Sequence, residues 1–469
     1  MVLREEDEQK ILKGSWELDC PHIELCKPGA VTPEHTGSGW IKQVNGALSF
    51  KLFATTPAKV GPMTLTFGQG DAGKVVSPDE YYDLNATDCW GSRWHATRIL
   101  PDENRNVSTG SHVFSGSLTA VSQTREFDDA PPDSFLRLEV VQDIEFPACE
   151  WTIRTTAIGQ QPRGENATRN AARLSFGDIN ILLVREEGRF TVEAASTQGF
   201  VPHFEIRLVE ALQFILARPI WWTLMERRES KTAYVEVRRF PTDEPAGHMP
   251  PAIQWRRQYD PASFWRLCEE YLAYVSGETT ADWHPVSAFL RLVIDATSGA
   301  WDARALALGV AVEGILRTAF AEIGFEREPL RAELERAGTL IGQSDLSPKT
   351  KELVGSAIKN MREFRPQTAL HVLEALGAAS ADEVRAWKRL RNRFAHAGRA
   401  RDFSPQELCD LCYRVTTLLY RLVFTAIGYS GPYTNYGQHG WEAAQHVCPA
   451  AEALRTRAED GSGENEPPR

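Results

Sequence analysis

Arg389-Leu390-Arg391-Asn392-Arg393-Phe394-Ala395-His396-Ala397-Gly398 is the stretch from which the rest of the chain is best read. It closes a segment of helical composition that Ser380 can open as an N-cap and that Gly398 can end. Arg391, Asn392 and His396 form the pattern R-N-x-x-x-H. On a helix, Asn392 and His396 share a face, while Arg391 lies about 140° away from His396 and must reach round with its long side chain. Arg385, Lys388, Arg389, Arg391, Arg393, Arg399 and Arg401 are set against only Asp382 and Glu383. In a chain of 469 residues with a formal net charge of −11 this is a local reversal of sign. The Arg–His spacing alone is close to chance in an arginine-rich chain. Asn392, the local charge and the helical surroundings give it weight.

Outward from this stretch the sequence reads as helices. Asp260 is placed to cap a helix over 261–275, and His284-Pro285 opens a series. Asp302 is placed to cap 303–323, where Ala305, Leu308, Val312, Ile315 and Ala319 recur at spacings of three and four. Ser347-Pro348 starts a helix running toward Met361, and Ser404-Pro405 starts the last long one. The apolar run 415–427 is interrupted by Arg421, so it reads as a buried helix rather than a membrane span. The spacing predicts a compact all-α bundle over 284–430, followed by an extension over 431–469 whose polar end reads as disordered.

Before the bundle the periodicity is close to two. Short runs such as Gly46-Ala47-Leu48-Ser49-Phe50 and Phe135-Leu136-Arg137-Leu138-Glu139 alternate with Gly, Asp, Asn and Pro, as antiparallel strands do. One apolar segment, 209–217, is a candidate short helix. Pro241, Pro245, Pro250 and Pro251 fall within twelve residues, a composition that fits a linker. The predicted fold class is therefore α+β and multidomain. It comprises a β-rich domain of sandwich or barrel type over 1–240, a Pro-rich linker with a connecting helix over 241–283, the helical bundle, and the C-terminal extension.

Composition narrows the function. The acidic net charge argues against a protein that coats nucleic acid by bulk electrostatics. Eight scattered cysteines are too sparse for a disulfide scaffold, which favours reduced thiols and a cytoplasmic location. Residues 1–8 are acidic and lack the apolar core of a signal peptide. Cys409-Asp410-Leu411-Cys412, with His439, His446 and Cys448, is a weak zinc candidate, because cysteines three apart on one helix are more often core. Cys20, His22 and Cys26 are weaker still. The aromatic stretch around Tyr81, Tyr82, Trp90, Trp94 and His95 is read as core rather than as a recognition surface. There is no phosphate-binding glycine loop, no dinucleotide fingerprint and no nucleophile elbow. No cofactor and no metal are expected.

The stretch 389–398 within a helical domain resembles the HEPN family, helical-bundle domains that include many metal-independent ribonucleases with an R-x-x-x-x-H signature. Arg391, Asn392 and His396 match that signature, and Glu313 fits the acidic residue that family members carry on an earlier helix. Gly14-Ser15-Trp16-Glu17-Leu18, Gly46-Ala47-Leu48-Ser49-Phe50 and Glu210-Ala211-Leu212-Gln213-Phe214 look like segments of ApeA-type anti-phage proteins, in which a HEPN domain follows the N-terminal domain. The resemblance implies an endoribonuclease of antiviral, abortive-infection defence. Its catalytic residues would be Arg391, Asn392 and His396, with Glu313 in support and Lys388, Arg389, Arg393 and Arg399 on the RNA backbone. It also implies a homodimer or higher oligomer formed through the HEPN domains, an RNA substrate with tRNA among the candidates, and a phage-derived trigger. The chemistry suits these residue types. Histidine exchanges protons near neutral pH, and arginine offers a fixed, charged fork to a phosphate gaining charge. Three other readings remain open. The basic helix end could serve only its own dipole, or the domain could be a non-catalytic RNA-binding, dimerisation or protein-interaction module, or the chain could be an antitoxin-like partner of another enzyme. Glu313 could equally be a structural carboxylate paired with an arginine of the motif helix.

Overall fold

A computed structural model describes residues 3–54, 75–106, 111–128, 133–158, 161–240, 248–258, 260–324, 328–362, 365–395 and 403–449. His396, Arg399, most of the Pro-rich segment and the polar tail lie outside the described residues. The chain divides into two units, Met1–Val201 with Ile220–Glu244, and Pro202–Pro219 with Pro245–Arg469.

Among the described residues, the first unit is built on one antiparallel sheet of fifteen strands. Alternation sets which side chains it buries: along Ala47–Ala54, Leu48, Phe50 and Leu52 turn inward while their neighbours stay partly or fully exposed. Asn45 and Gly46, both at positive φ, make the two-residue turn that pairs His35–Val44 with Ala47–Ala54. In Glu17–Cys26 the register slips between Cys20 and Ile23, where Pro21 has no N–H to give the ladder. Trp16, Ile23, Leu25, Ile41, Phe50, Leu84 and Trp94 share one buried core with Val235 and Val237 of Thr232–Arg238. Trp94 thus belongs to the core as expected, whereas Trp90 is exposed. The sequence reading did not foresee helix α1 (Glu5–Leu12), whose first turn carries Glu5, Glu6, Asp7 and Glu8 at the positive end of its dipole.

After Arg189–Ser196 the chain leaves the sheet for helix α2 (Phe204–Leu216) and returns as the hairpin Leu224–Glu229/Thr232–Arg238. That hairpin lies between Ser134–Val140 and Ala120–Glu126, so it joins the two halves of the sheet. Helix α2 itself belongs to the second unit, although strands flank it in sequence.

The second unit is helical: α3 (Trp255–Gln258), α4 (Pro261–Val275), α5 (Pro285–Ala296), α6 (Trp301–Ala319), α7 (Glu328–Gln343), α8 (Pro348–Arg362), α9 (Pro366–Ala375), α10 (Ala381–Ala395) and α11 (Pro405–Ile427). The expected starts are capped at α5, where His284 Nδ1 accepts from Val286 N at 3.2 Å, at α8, where Ser347 Oγ accepts from Thr350 N at 3.2 Å, and at three further helices. Asp260 accepts from Ser263 N at 3.0 Å. Ser380 with Glu383 and Ser404 with Glu407 form reciprocal capping boxes at the starts of α10 and α11. Asp302 is not a cap: α6 starts two residues earlier than expected, after Ala300, and Asp302 sits in its first turn. It also stops at Ala319, short of the expected 323. The arginine that interrupts the apolar run of α11 is tied to the start of α10, since Arg421 Nη1 lies 3.0 Å from Glu383 Oε2 and Arg421 Nη2 donates to Gly377 O at 2.6 Å. Among the described residues no helix is long and apolar enough to cross a membrane. Within the expected C-terminal extension, Gly431–Thr434 and Ala443–His446 form a small hairpin.

Gly314 shows how closely α5 and α6 approach. A Cβ added there would run into the ring of Phe289. Gly314→Ala is therefore expected to lower stability by about 1–3 kcal/mol, despite alanine's better helix propensity. A fall in the urea midpoint checks this; an unchanged or raised midpoint contradicts it.

Candidate active site

The site is assembled on α10. Trp387 and Leu390 are fully buried and anchor the helix on α6, with Trp387 Nε1 directed at Gly309 O at 3.5 Å. With those two residues inward, Lys388, Arg389, Arg391 and Asn392 are left along the outer side, near the helix's C-terminal end.

Three of the four arginines of α10 meet carboxylates from other helices. Arg391 Nε lies 3.3 Å from Glu313 Oε2 of α6, and its guanidinium passes over the Trp387 ring at 5.6 Å. Arg393 Nη2 is 3.0 Å from Asp302 Oδ1, also on α6. Arg389 Nη2 is 3.8 Å from Glu407 Oε1 at the start of α11. The guanidiniums of Arg389 and Arg393 both lie over the Phe403 ring, at 5.2 and 5.1 Å. Lys388 Nζ is 2.9 Å from His371 Nε2, and His371 Nδ1 is 3.1 Å from Glu374. Asn392 is exposed.

These ion pairs are poorly shielded from water. Arg391 and Glu313 are 45% and 27% exposed, and Arg389 and Glu407 are exposed by more than half. Such pairs contribute about 0–1 kcal/mol each, so an incoming phosphate displaces them at small cost. Glu313 has a second partner: Arg317 Nη2 lies 3.1 Å from its Oε1. If Arg391 turns to a phosphate, Glu313 keeps a cation. The arrangement therefore supplies a row of arginines held in place but not locked. Arg391 stands at its centre.

Of the residues singled out in sequence, Arg391 and Glu313 are brought together from different helices, and Arg389, Arg393 and Lys388 line the same helix. His396 and Arg399 lie outside the described residues. The zinc candidates are not brought together. Cys409 and Cys412 occupy the first turns of α11, whereas His446 packs on Thr425 and Phe424 and Cys448 Sγ donates to Thr425 O, near the helix's other end. Cys412 and Thr425, thirteen positions apart, are separated by about 20 Å of helix. Burial also pushes the Cys412 thiol up to about 12 and raises those of Cys409 and Cys448, away from the thiolate a metal needs. No cluster of metal-ligating side chains occurs among the described residues.

Sequence reading missed two cavities. In the sheet unit, an open groove of about 1010 Å³ is lined by His22, Glu24, Asn85, His95, Tyr234 and Glu236 among others. Its polar groups alternate along strands whose other face builds the core, so only strand pairing reveals that they converge. In the helical unit, a cavity of about 360 Å³ lies between α11 and the loop 435–442 of the small hairpin. One of its walls comes from the C-terminal extension, for which the sequence alone specifies no fold.

The chain matches no protein-family model, no curated protein and no solved structure.

Proposed function

We propose that the chain is a metal-independent endoribonuclease of HEPN type, with a β-rich domain of sandwich or barrel type that senses an infection cue and restrains the nuclease. The observation that carries this reading is the row of Arg389, Arg391 and Arg393 along α10, held by carboxylates in pairs too exposed to lock them. Glu313 on α6 lies 3.3 Å from Arg391 and is the support such a site would have. Arg391 binds the scissile phosphate, where negative charge grows as the ribose 2′-oxygen attacks phosphorus and the bond to the 5′-oxygen breaks. The 2′-OH loses a proton and the leaving 5′-oxygen gains one. His396 takes the first or supplies the second. Asn392 orients the imidazole or binds a phosphate oxygen, and Lys388, Arg389, Arg393 and Arg399 hold the neighbouring backbone. The products are a 2′,3′-cyclic phosphate and a 5′-OH.

The proposed assembly is a homodimer in which two copies of the motif face one cleft. Leu306 and Val310 support this reading: both are exposed apolar residues on α6, two turns and one turn before Glu313. The setting is the cytoplasm of an infected cell, with host or phage RNA, including tRNA, as substrate. The large groove of the sheet unit is where a phage-derived cue would bind.

Purified protein, incubated with RNA in excess EDTA, is expected to produce fragments with cyclic-phosphate and 5′-OH ends. Intact RNA under these conditions, together with salt-sensitive binding that depends on Arg389 and Arg393, would assign the domain to the non-catalytic RNA-binding class instead.

A further inference from the structure

The cavity between α11 and the loop 435–442 has a composition suited to a flat, polar-edged ring. Tyr413, Tyr436 and Trp441 form its aromatic wall, with ring centroids 5.3 Å apart for Tyr413 and Trp441 and 5.4 Å for Tyr436 and Trp441. Asp410 and Gln406 stand at its edge, where Gln406 Nε2 donates to Asp410 Oδ1 at 2.8 Å. Arg257 and Arg414 line it as well. The Arg257 guanidinium lies 5.7 Å from the Trp441 ring and its Nη1 donates to Gly440 O at 2.8 Å.

A further observation points to a ligand. Trp441 is held at φ +53°, a left-handed conformation that a bulky side chain rarely adopts and that tends to persist at binding sites. Behind the aromatic wall, Arg304 is 8% exposed, its guanidinium lies 4.9 Å from the Trp301 ring and 5.4 Å from Tyr413, and its Nε and Nη2 have no hydrogen-bond partner among the described residues.

The cavity is next to the motif helix. Trp301 packs on Tyr413 at 5.9 Å, and the adjacent Asp302 holds Arg393 at 3.0 Å. Consecutive residues of α6 thus touch the cavity wall and the arginine row.

We propose that this cavity is a nucleobase subsite, which takes one unpaired base of the RNA strand whose phosphates lie on Arg389, Arg391 and Arg393. The base stacks against Trp441 and Tyr413. Asp410 and Gln406 meet its hydrogen-bonding edge, which gives the cleavage site a base preference, and Arg257 and Arg414 face its own phosphate. The proposal rests on the nuclease reading for its role, but not for its test.

The test uses the full chain and a labelled 2′-O-methyl oligoribonucleotide, which lacks the attacking hydroxyl and so reports binding without cleavage. By fluorescence anisotropy Trp441→Ala is expected to weaken binding about ten-fold or more, the scale of one lost base stack, with Trp441→Phe close to the parent. Asp410→Asn, which replaces an acceptor by a donor, is expected to change the ranking of uniform A, C, G and U oligomers by about five-fold. This second variant decides the matter if Trp441→Ala does not fold. No binding by the parent overturns the proposal, as does an unchanged affinity in Trp441→Ala or, where that variant does not fold, an unchanged ranking in Asp410→Asn. Loss of binding in Trp441→Ala with no cleavage of ordinary RNA by the parent leaves the subsite standing and removes only the nuclease reading.

Discussion

His396→Ala is expected to slow RNA cleavage by roughly 10²–10⁴-fold, the usual contribution of one positioned acid or base. The argument starts from the chemistry. A 2′-hydroxyl is a poor nucleophile until its proton is removed, and a 5′-alkoxide leaves slowly unless protonated. His396 is the titratable group of the motif, and an ordinary imidazole changes charge near neutral pH. Two companion variants separate catalysis from architecture. Arg391→Ala is expected to lose about 10²–10³-fold, as removal of one transition-state donor does, and Arg391→Lys should recover little, because a point charge does not replace a planar fork. Neither should move the melting temperature much, since the Arg391–Glu313 pair is partly exposed. A rate of cleavage in His396→Ala equal to the parent's, measured at single turnover across pH 5–8, would overturn the assignment. A flat pH profile in the parent would weaken the case for a histidine in either role.

The largest expected loss of stability lies away from the motif. Glu210→Ala is expected to destabilise the helical unit by about 3–5 kcal/mol. Arg207 and Glu210 are one turn apart on α2, with both side chains fully buried and Arg207 Nη1 3.1 Å from Glu210 Oε1. Glu210 also accepts from His284 N at 2.9 Å and from Ser287 Oγ at 3.1 Å, and Tyr271 OH lies 2.7 Å from that same hydroxyl. Arg207 in turn donates to the carbonyls of Thr280 and Asp282, which precede α5. Truncating the carboxylate leaves a guanidinium in a site closed to water and takes acceptors from α5 at the same time. Glu210→Gln keeps an acceptor but not the charge and should lose less. Urea denaturation at pH 7.5 reads both. A midpoint for Glu210→Ala equal to the parent's would show that the buried pair contributes nothing.

The Glu210 cluster also shows what one-dimensional reading misses. Glu210-Ala211-Leu212-Gln213-Phe214 stands between strand-like segments, and its neighbours in sequence suggest that it belongs with the sheet. In space, Phe214 stacks on Tyr271 of α4 at 4.2 Å and Gln213 Oε1 accepts from Arg291 of α5 at 2.7 Å. Local pattern identified a helix there. Nothing local specified which unit it completes, because that depends on contacts with residues about seventy positions away. The zinc candidates fail for the opposite reason. Cys409, Cys412, His446 and Cys448 are close in sequence, but a straight helix of more than twenty residues keeps its ends far apart.

By itself, the sequence determined the α+β division, the capped starts of α4, α10 and α11, the inward faces of strands such as Ala47–Ala54, and the basic motif with its candidate partner Glu313. These features rest on period, caps and turn residues, whose physics acts over a few neighbours. Only the tertiary structure decided that Arg391 and Glu313 meet, that α2 completes the helical unit, and that Tyr413, Tyr436 and Trp441 enclose a cavity beside the arginine row. Each of these depends on which faces of separate elements are buried against one another, and burial is a property of the whole packed unit rather than of any stretch within it.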